Sequence, residues 1–375
     1  MNLFYLFPDS CARKGITKPG HYSYKQTHLF YGMDHAHAYG HKISNDFDFC
    51  QYTEHGWFPK IVNKFLNRSW SFLGGSGGNW FKILYVRKQF IQADLIISTA
   101  DRVGIPLVLL MAIGLVPKKP VLYISIGLPE RWERLSKPMQ HIYRRAFQKH
   151  VSSLVCFGYK EQKQLCKILA IDQTRIKFIP FGVNTEAIFP INIDSTKNIL
   201  SIGADPSRDF DLLIQTAPSI NANIVIITTK ARAQELSRHW ISFPSNVFIQ
   251  TDVPFSELQS TIASSLFIVL PLHENSYSGA TTTLLQCMAM GKAVIVSQTG
   301  AIINGYKLVD GENVMLVPPG EKNDLLHAMA TLIHNPDNAS KIGTQARKTV
   351  VDSLSWNQFE EKLFSLVQDC ASSSR

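Results

Sequence analysis

The stretch "ENSYSGATTTLLQCMAMGKAVIVS", Glu274 to Ser297, runs from a loop of small polar residues into an apolar segment, stops at Gly291 and resumes as a β-branched run. Before it stands "LFIVLPL" (Leu266 to Leu272), continuous and apolar as a strand buried on both faces is. Strand, loop, helix and strand in that order make a βαβ unit, and in an open parallel sheet ligands gather beyond the carboxyl ends of the strands. The predicted helix begins near Ser278 to Thr281, where unpaired backbone N–H groups present partial positive charge suited to a phosphate; Gly279 and Ala280 leave room for close approach. Gln286 lies seven positions beyond Gly279, about two turns, so it faces the same way as the helix mouth, with Leu284, Leu285 and Met288 on the opposite, core side. From there Gln286 can reach ribose hydroxyls, and Glu274 a group beyond them. A plainer reading competes: Ser and Thr at a helix start serve as caps whether or not a ligand is present.

The same alternation extends along the chain. Strand-like runs are predicted at Leu3 to Phe7, Leu95 to Ser98, Val121 to Ile124, Leu154 to Cys156 and Ile176 to Ile179, then at Asn198 to Ile202, Asn223 to Thr228, Val247 to Gln250, Leu266 to Leu270 and Ala293 to Ser297. Helix-like periods separate them, which implies α/β architecture with parallel sheets. A chain of 375 residues exceeds what one core usually holds, and "PFGVNTEAIFPINIDSTKN" (Pro180 to Asn198), rich in turn formers, separates the two sets. The expected domains are residues 1–182, 183–354 and a final amphipathic helix in 355–375, entered through the serine caps of "DSLS".

With 45% hydrophobic and 18% charged residues the composition is globular, and the formal charge of +9 suits an anionic partner. Six cysteines without a close-spaced pair argue against a zinc cage or disulfide framework and suit a reducing, cytoplasmic compartment. The longest apolar run, "VGIPLVLLMAIGLV" (Val103 to Val116), is too short to span a bilayer and contains Pro106. "GGSGG" (Gly74 to Gly78) fits neither phosphate-binding fingerprint and reads as a mobile loop. His37 and His41 stand one helical turn apart without a further ligand beside them, so no metal site is expected. "RWERLSKPMQHIYRRAFQKH" (Arg131 to His150) mixes basic and aromatic residues at helical spacing; a plain domain helix and a peripheral membrane contact both fit, and nucleic-acid binding lacks any accompanying motif.

"PLHENSYSGATTTLLQCMAMGKAVIVS" (Pro271 to Ser297) followed by "LVDGENVMLVPPGEKNDLLHAMATLI" (Leu308 to Ile333) resembles the carboxyl-terminal domain of GT-B glycosyltransferases of the retaining, nucleotide-sugar-dependent family-four type. "ILSIGADPSRDFDLLIQTAP" resembles the first strand and helix of that domain, and "RIKFIPFGVNTEAIFP" the linker before it; the likeness covers roughly residues 150 to 370. It implies two Rossmann-like domains facing a cleft, an amino-terminal domain for the acceptor, a carboxyl-terminal domain for the donor, and a last helix crossing back to the first domain.

The resemblance also implies roles. The family's paired glutamates, one at the donor sugar and one at the ribose, correspond to Ser278 and Gln286, with Glu274 a stand-in for the first; its arginine and lysine against the pyrophosphate correspond to Ala204 and Arg208. Arg208 binds phosphate oxygens as a planar fork, beside Gly203 and Asp205, and an ion pair of Arg208 with Asp205 or Asp209 is the alternative use. Lys230 is a further candidate cation, and Gly20 and His21 stand where the family's acceptor-side loop lies. Ser125 and Gly127 occupy the strand end where a histidine is common in the family. Arg208 and Glu274 are thus the expected catalytic residues, and Gly203, Asp205, Lys230, Ser278, Gly279, Ala280, Thr281 and Gln286 the donor contacts. No metal and no cofactor beyond the nucleotide sugar is implied; the acceptor would be a glycan or lipid-linked glycan, as in polysaccharide assembly. A second reading is a catalytically reduced relative that binds nucleotide sugars or serves as a partner subunit.

Overall fold

The computed structural model describes residues 1–9, 28–49, 57–275, 279–302 and 304–372. The chain divides into two compact units, one of Met1–Ile179 with Glu360–Arg375 and one of Pro180–Phe359. Among the described residues each unit holds one six-stranded parallel sheet.

The first unit contains β1 (Asn2–Leu6), β2 (Lys42–Asn45), α1 (Trp57–Phe72), α2 (Trp80–Val86), β3 (Leu95–Ser98), α3 (Asp101–Ala112), β4 (Val121–Ile124), α4 (Leu128–Glu133), α5 (Lys137–His150), β5 (Val151–Cys156), α6 (Tyr159–Leu169) and β6 (Ile176–Phe178). Its strand order is β2-β1-β3-β4-β5-β6. β3 and β4 read Leu-Ile-Ile-Ser and Val-Leu-Tyr-Ile and are buried at every position, as strands covered on both faces must be. The long apolar run becomes α3, buried from Val103 to Met111 in the core, and no helix among the described residues is long and apolar enough to cross a membrane.

The second unit contains β7 (Asn198–Ile202), α7 (Phe210–Thr216), β8 (Asn223–Thr228), α8 (Lys230–His239), β9 (Val247–Thr251), α9 (Phe255–Ser264), β10 (Ile268–Leu270), α10 (Thr281–Ala289), β11 (Val294–Ser297), β12 (Met315–Val317), α11 (Lys322–His334) and α12 (Pro336–Ser353). The order is β12-β11-β10-β7-β8-β9. All ten predicted strands are present, and the two the periodicity missed, β2 and β12, are the outermost strands on one side of each sheet.

α13 (Trp356–Ser372) opens with a reciprocal cap: the Ser355 N–H donates to Gln358 Oε1 (3.2 Å) and the Gln358 N–H to Ser355 Oγ (3.4 Å). Its first turn packs in the second unit, with Trp356 and Phe359 rings each 5.5 Å from that of Phe181. From Glu360 onward it belongs to the first unit, where Phe364 stacks on Tyr39 at 4.3 Å and the Glu360 carboxylate meets His35 Nδ1 at 2.9 Å.

The glycine cluster at Gly74 to Gly78 is not a free loop. The Ser76 N–H donates to Tyr143 Oη (3.0 Å) and the Gly78 N–H to Asn67 Oδ1 (2.8 Å). A Cβ on Gly75 would lie 2.3 Å from the Trp70 indole nitrogen, so close packing, not mobility, requires glycine there.

Candidate functional site

In the second sheet β7 lies between β8 and β10, so the chain leaves it toward one edge and later returns toward the other. The crevice beyond the carboxyl ends of β7 and β10 is therefore the topological switch point, the expected ligand position in such a sheet. The loop after β7 is stitched to the segment after β10. Arg208 bridges Leu272 in antiparallel register, the Asp209 N–H donates to Pro271 O (2.9 Å) and the His273 N–H to Ser207 O (2.9 Å). Within the loop, the Ser207 N–H donates to Asp205 Oδ1 (2.8 Å) and the Arg208 N–H to Asp205 O (3.1 Å).

This stitching brings the Arg208 side chain inward until it is 1% exposed. Its Nη2 donates to Thr283 Oγ1 at 3.1 Å, and a Cβ on Gly203 would lie 2.1 Å from its Nε, so only glycine lets the guanidinium pass. Asp209 accepts from the Leu212 N–H (3.0 Å) as the cap of α7 and faces His273 Nδ1 (3.3 Å). Arg208 is thus a buried cation at the switch point.

Thr283 is in the first turn of α10, whose N-cap residue is Ala280, with no side-chain cap bond. Ala280 itself has no side chain that could cap, so among the described residues the first-turn N–H groups of α10 lie at the strand-end edge without a side-chain cap. Thr281 is 1% exposed, and its hydroxyl has no hydrogen-bond partner among the described residues. Gly279 is half-buried beside it.

The buried part of α10 is wider than its spacing implies: Leu284, Leu285, Gln286, Cys287 and Met288 are all buried, because α10 lies against the sheet and packs on α12 as well. Gln286 is 9% exposed. Burial pushes the Cys287 thiol up to about 12, against the opposing influence of Arg208 and Lys292, so it remains a protonated thiol. Glu274 is exposed and accepts from the Gly300 N–H at 3.2 Å, which ties the loop after β10 to the one after β11.

Lys230 does not join this group. Its side chain is 76% exposed and faces Asp252 at 3.3 Å. The cation that reaches the Arg208 loop is Arg232, whose Nη2 donates to Arg208 O at 3.2 Å while Nη1 holds Glu235. Nothing in residue type separates Lys230 from Arg232; two positions on a helix start decide which one turns inward. Thr283 was foreshadowed only by the run of three threonines. Ser278, Gly20 and His21 lie outside the described residues.

The strand-end edge of the first unit is built differently. Lys82, 4% exposed, donates to Phe7 O (3.0 Å) and pairs with Asp46 (2.6 Å) and Asp9 (2.7 Å). Burial opposes its charge, but the two carboxylates outweigh burial and push it up to about 12. Asp101 accepts from Tyr123 Oη (2.7 Å) and lies 3.6 Å from Arg131, yet burial raises it to about 6. Glu161 accepts from Ser125 Oγ (2.6 Å) and the Phe157 N–H (3.3 Å), and burial raises it to about 8. Ser125 is thus a partner of a buried acid, and Gly127, at φ 81°, precedes α4. His41 stacks on Phe364 while His37 is exposed, so the two do not converge; the described side chains with metal-ligand proximity are Asp34, His35 and Glu360. The basic-aromatic segment forms α4 and α5, with Tyr143 and Phe147 fully buried and Arg144 stacked 5.8 Å over Trp132, which spends its apolar face inside the domain.

Residues 196–335 match the family described as Glycosyl transferases group 1. The MMP alpha-(1->4)-mannosyltransferase of Mycolicibacterium hassiacum is 20% identical over 237 residues, 61% of this chain and 56% of that relative, so the match spans little more than half of the relative's length. HepE of Anabaena, crystallised with UDP-glucose, is similar in structure with a TM-score of 0.69 at 12% identity, over 98% of this chain and 100% of that one. The sucrose-phosphate synthase of Thermosynechococcus elongatus gives a TM-score of 0.74 at 13% identity, over 99% of each chain. The likeness along the whole length shows a two-domain GT-B fold, and the match to the group 1 glycosyltransferase family lies within its second unit.

Proposed function

We propose that this protein moves a sugar from a nucleoside diphosphate sugar to a glycan or lipid-linked glycan acceptor, with retention at the anomeric carbon and without a metal. The observation that carries this is the buried Arg208 guanidinium beside the start of α10, at the carboxyl ends of β7 and β10. When the bond between the anomeric carbon and the diphosphate oxygen breaks, negative charge grows on the leaving oxygen. A preset cation and helix N–H groups in a site shielded from water stabilise that charge more than they stabilise the bound donor. The acceptor hydroxyl then attacks on the face the leaving group vacates, and its proton passes to a phosphate oxygen of the departing diphosphate. Gln286 serves the ribose through its neutral amide, and Glu274 the donor sugar, with Ser278, Gly279, Ala280 and Thr281 around the phosphates.

UDP is the nucleotide to try first, since HepE of Anabaena was crystallised with UDP-glucose. Thermal stabilisation by UDP, GDP, ADP and their sugar conjugates, with and without divalent metal, tests the site. The expected result is metal-independent stabilisation by one nucleoside diphosphate that disappears in Arg208→Ala, followed by slow hydrolysis of the matching sugar nucleotide with the anomeric configuration kept. Stabilisation without hydrolysis or transfer would favour the second reading, a nucleotide-sugar-binding partner protein, for which Ser278 and Gln286 in place of two acids are the specific support. No response to any nucleotide would sink both.

A further inference from the structure

α1 (Trp57–Phe72) contains no buried residue. One side rests on the first unit through half-buried Pro59, Val62, Asn63, Leu66, Asn67 and Trp70, a helical period, with Leu66 and Trp70 against the core. The opposite side carries Phe58, Ile61, Phe65 and Phe72, which are 56%, 55%, 68% and 90% exposed and follow one another at i, i+3, i+7 and i+14. Single exposed apolar side chains are ordinary, but a continuous stripe of them on one helix marks a surface that something covers. Alongside it, one turn apart, stand exposed Lys60, Lys64 and Arg68. From His55 to Ala93 the sequence holds no acidic residue.

We infer that α1 docks on an anionic lipid surface, its aromatic stripe entering the headgroup boundary and its cation stripe facing the phosphates. Large aromatic and aliphatic side chains beside a row of lysine and arginine are what an in-plane interfacial helix requires, since apolar burial and attraction to anionic lipid act together. Charge complementarity selects this occupant over a second copy of the chain, because a facing α1 offers the three cations no acid to pair with. Pro59, Lys60 and Asn63 also line a small cavity with Asp9, Asn79 and Lys82, next to the carboxyl end of β1. A docked α1 therefore holds that strand-end edge of the first unit at the lipid surface. The inference stands on α1 alone and does not need the proposed transfer reaction.

Flotation of the full chain with vesicles tests it. Wild type is expected to float with phosphatidylcholine–phosphatidylglycerol vesicles at low salt, and weakly with phosphatidylcholine alone. Lys60→Ser with Lys64→Ser and Arg68→Ser should lower the affinity for anionic vesicles by about a hundredfold. Phe65→Ser with Phe72→Ser should lower it by about tenfold or more at any salt concentration. Both variants change exposed side chains and should keep the wild-type melting midpoint; Phe72→Ser alone, at the helix end, serves if the pair does not fold. No flotation of wild type with anionic vesicles, or equal flotation of wild type and folded variants, overturns the inference. So does a wild-type dimer in sedimentation velocity that Phe65→Ser with Phe72→Ser converts to monomer without any vesicle binding. Nucleotide-induced stabilisation reads the second unit separately, so failure of the transfer reading leaves the vesicle result interpretable.

Discussion

At the carboxyl edge of the first sheet three carboxyl groups, Asp46, Asp101 and Glu161, are buried among partners of their own unit, whereas the same edge of the second sheet buries a guanidinium, Arg208, beside a helix start. Both edges arise from the same kind of topology, a parallel sheet whose strand order reverses, at β1 and β3 in one and at β7 and β10 in the other. In the first, each acid has a donor within hydrogen-bond reach, so the polar groups mainly hold loops together. In the second, a cation and backbone dipoles point the same electrostatic sign at one place. Topology makes both crevices; the side chains delivered to them give the second a concentrated positive field.

The sharpest way to break this contrast is to remove its cation. Arg208→Ala should weaken nucleoside diphosphate binding about a hundredfold or more, because charge-assisted bonds to phosphate are lost, and isothermal titration would read it. Gly203→Ala should come next, at about tenfold or more: its Cβ would meet the Arg208 guanidinium at 2.1 Å and displace it, so the melting midpoint and nucleotide affinity should fall together.

Glu161→Gln sharpens the comparison from the other side. Glu161 titrates at about 8 in the folded chain against an ordinary value of 4.5, so between those values the native state holds a proton that the unfolded chain releases. The stability this confers is complete below 4.5 and is lost as pH rises through about 8. Urea unfolding of wild type should therefore weaken across that window by on the order of 1–3 kcal/mol relative to Glu161→Gln, whose curve should be flatter. Lys230→Ala should do least: its exposed pair with Asp252 is worth at most about 0.5 kcal/mol, and nucleotide affinity should stay within about twofold of wild type.

The strands legible in sequence are those buried on both faces, where a continuous β-branched run leaves little ambiguity. β2 reads Lys-Ile-Ser-Asn and β12 Met-Leu-Val; both are short and only partly buried, so their pairing depends on a neighbour the local sequence does not specify. Gln286 shows the converse limit. Its spacing from the helix start is local, but two-sided packing of α10 between the sheet and α12 leaves that position 9% exposed, which spacing does not foretell. On α1 the period announces an amphipathic helix without saying that its most aromatic stripe is the outer one, since Leu66 and Trp70 on the other side reach the core first.

From sequence alone follow the α/β class and the strand-loop-helix unit around Glu274 to Ser297. These are local matters, because periodicity, turn residues and side-chain type largely decide which segments leave water and in what conformation. Tertiary structure alone decided that Arg208 lies inward against Thr283, that Arg232 and not Lys230 reaches its loop, and that the acids of the first unit are spent on one another's neighbours. Those outcomes depend on which distant strands lie side by side, and a burial preference carries no record of the partner that satisfies it.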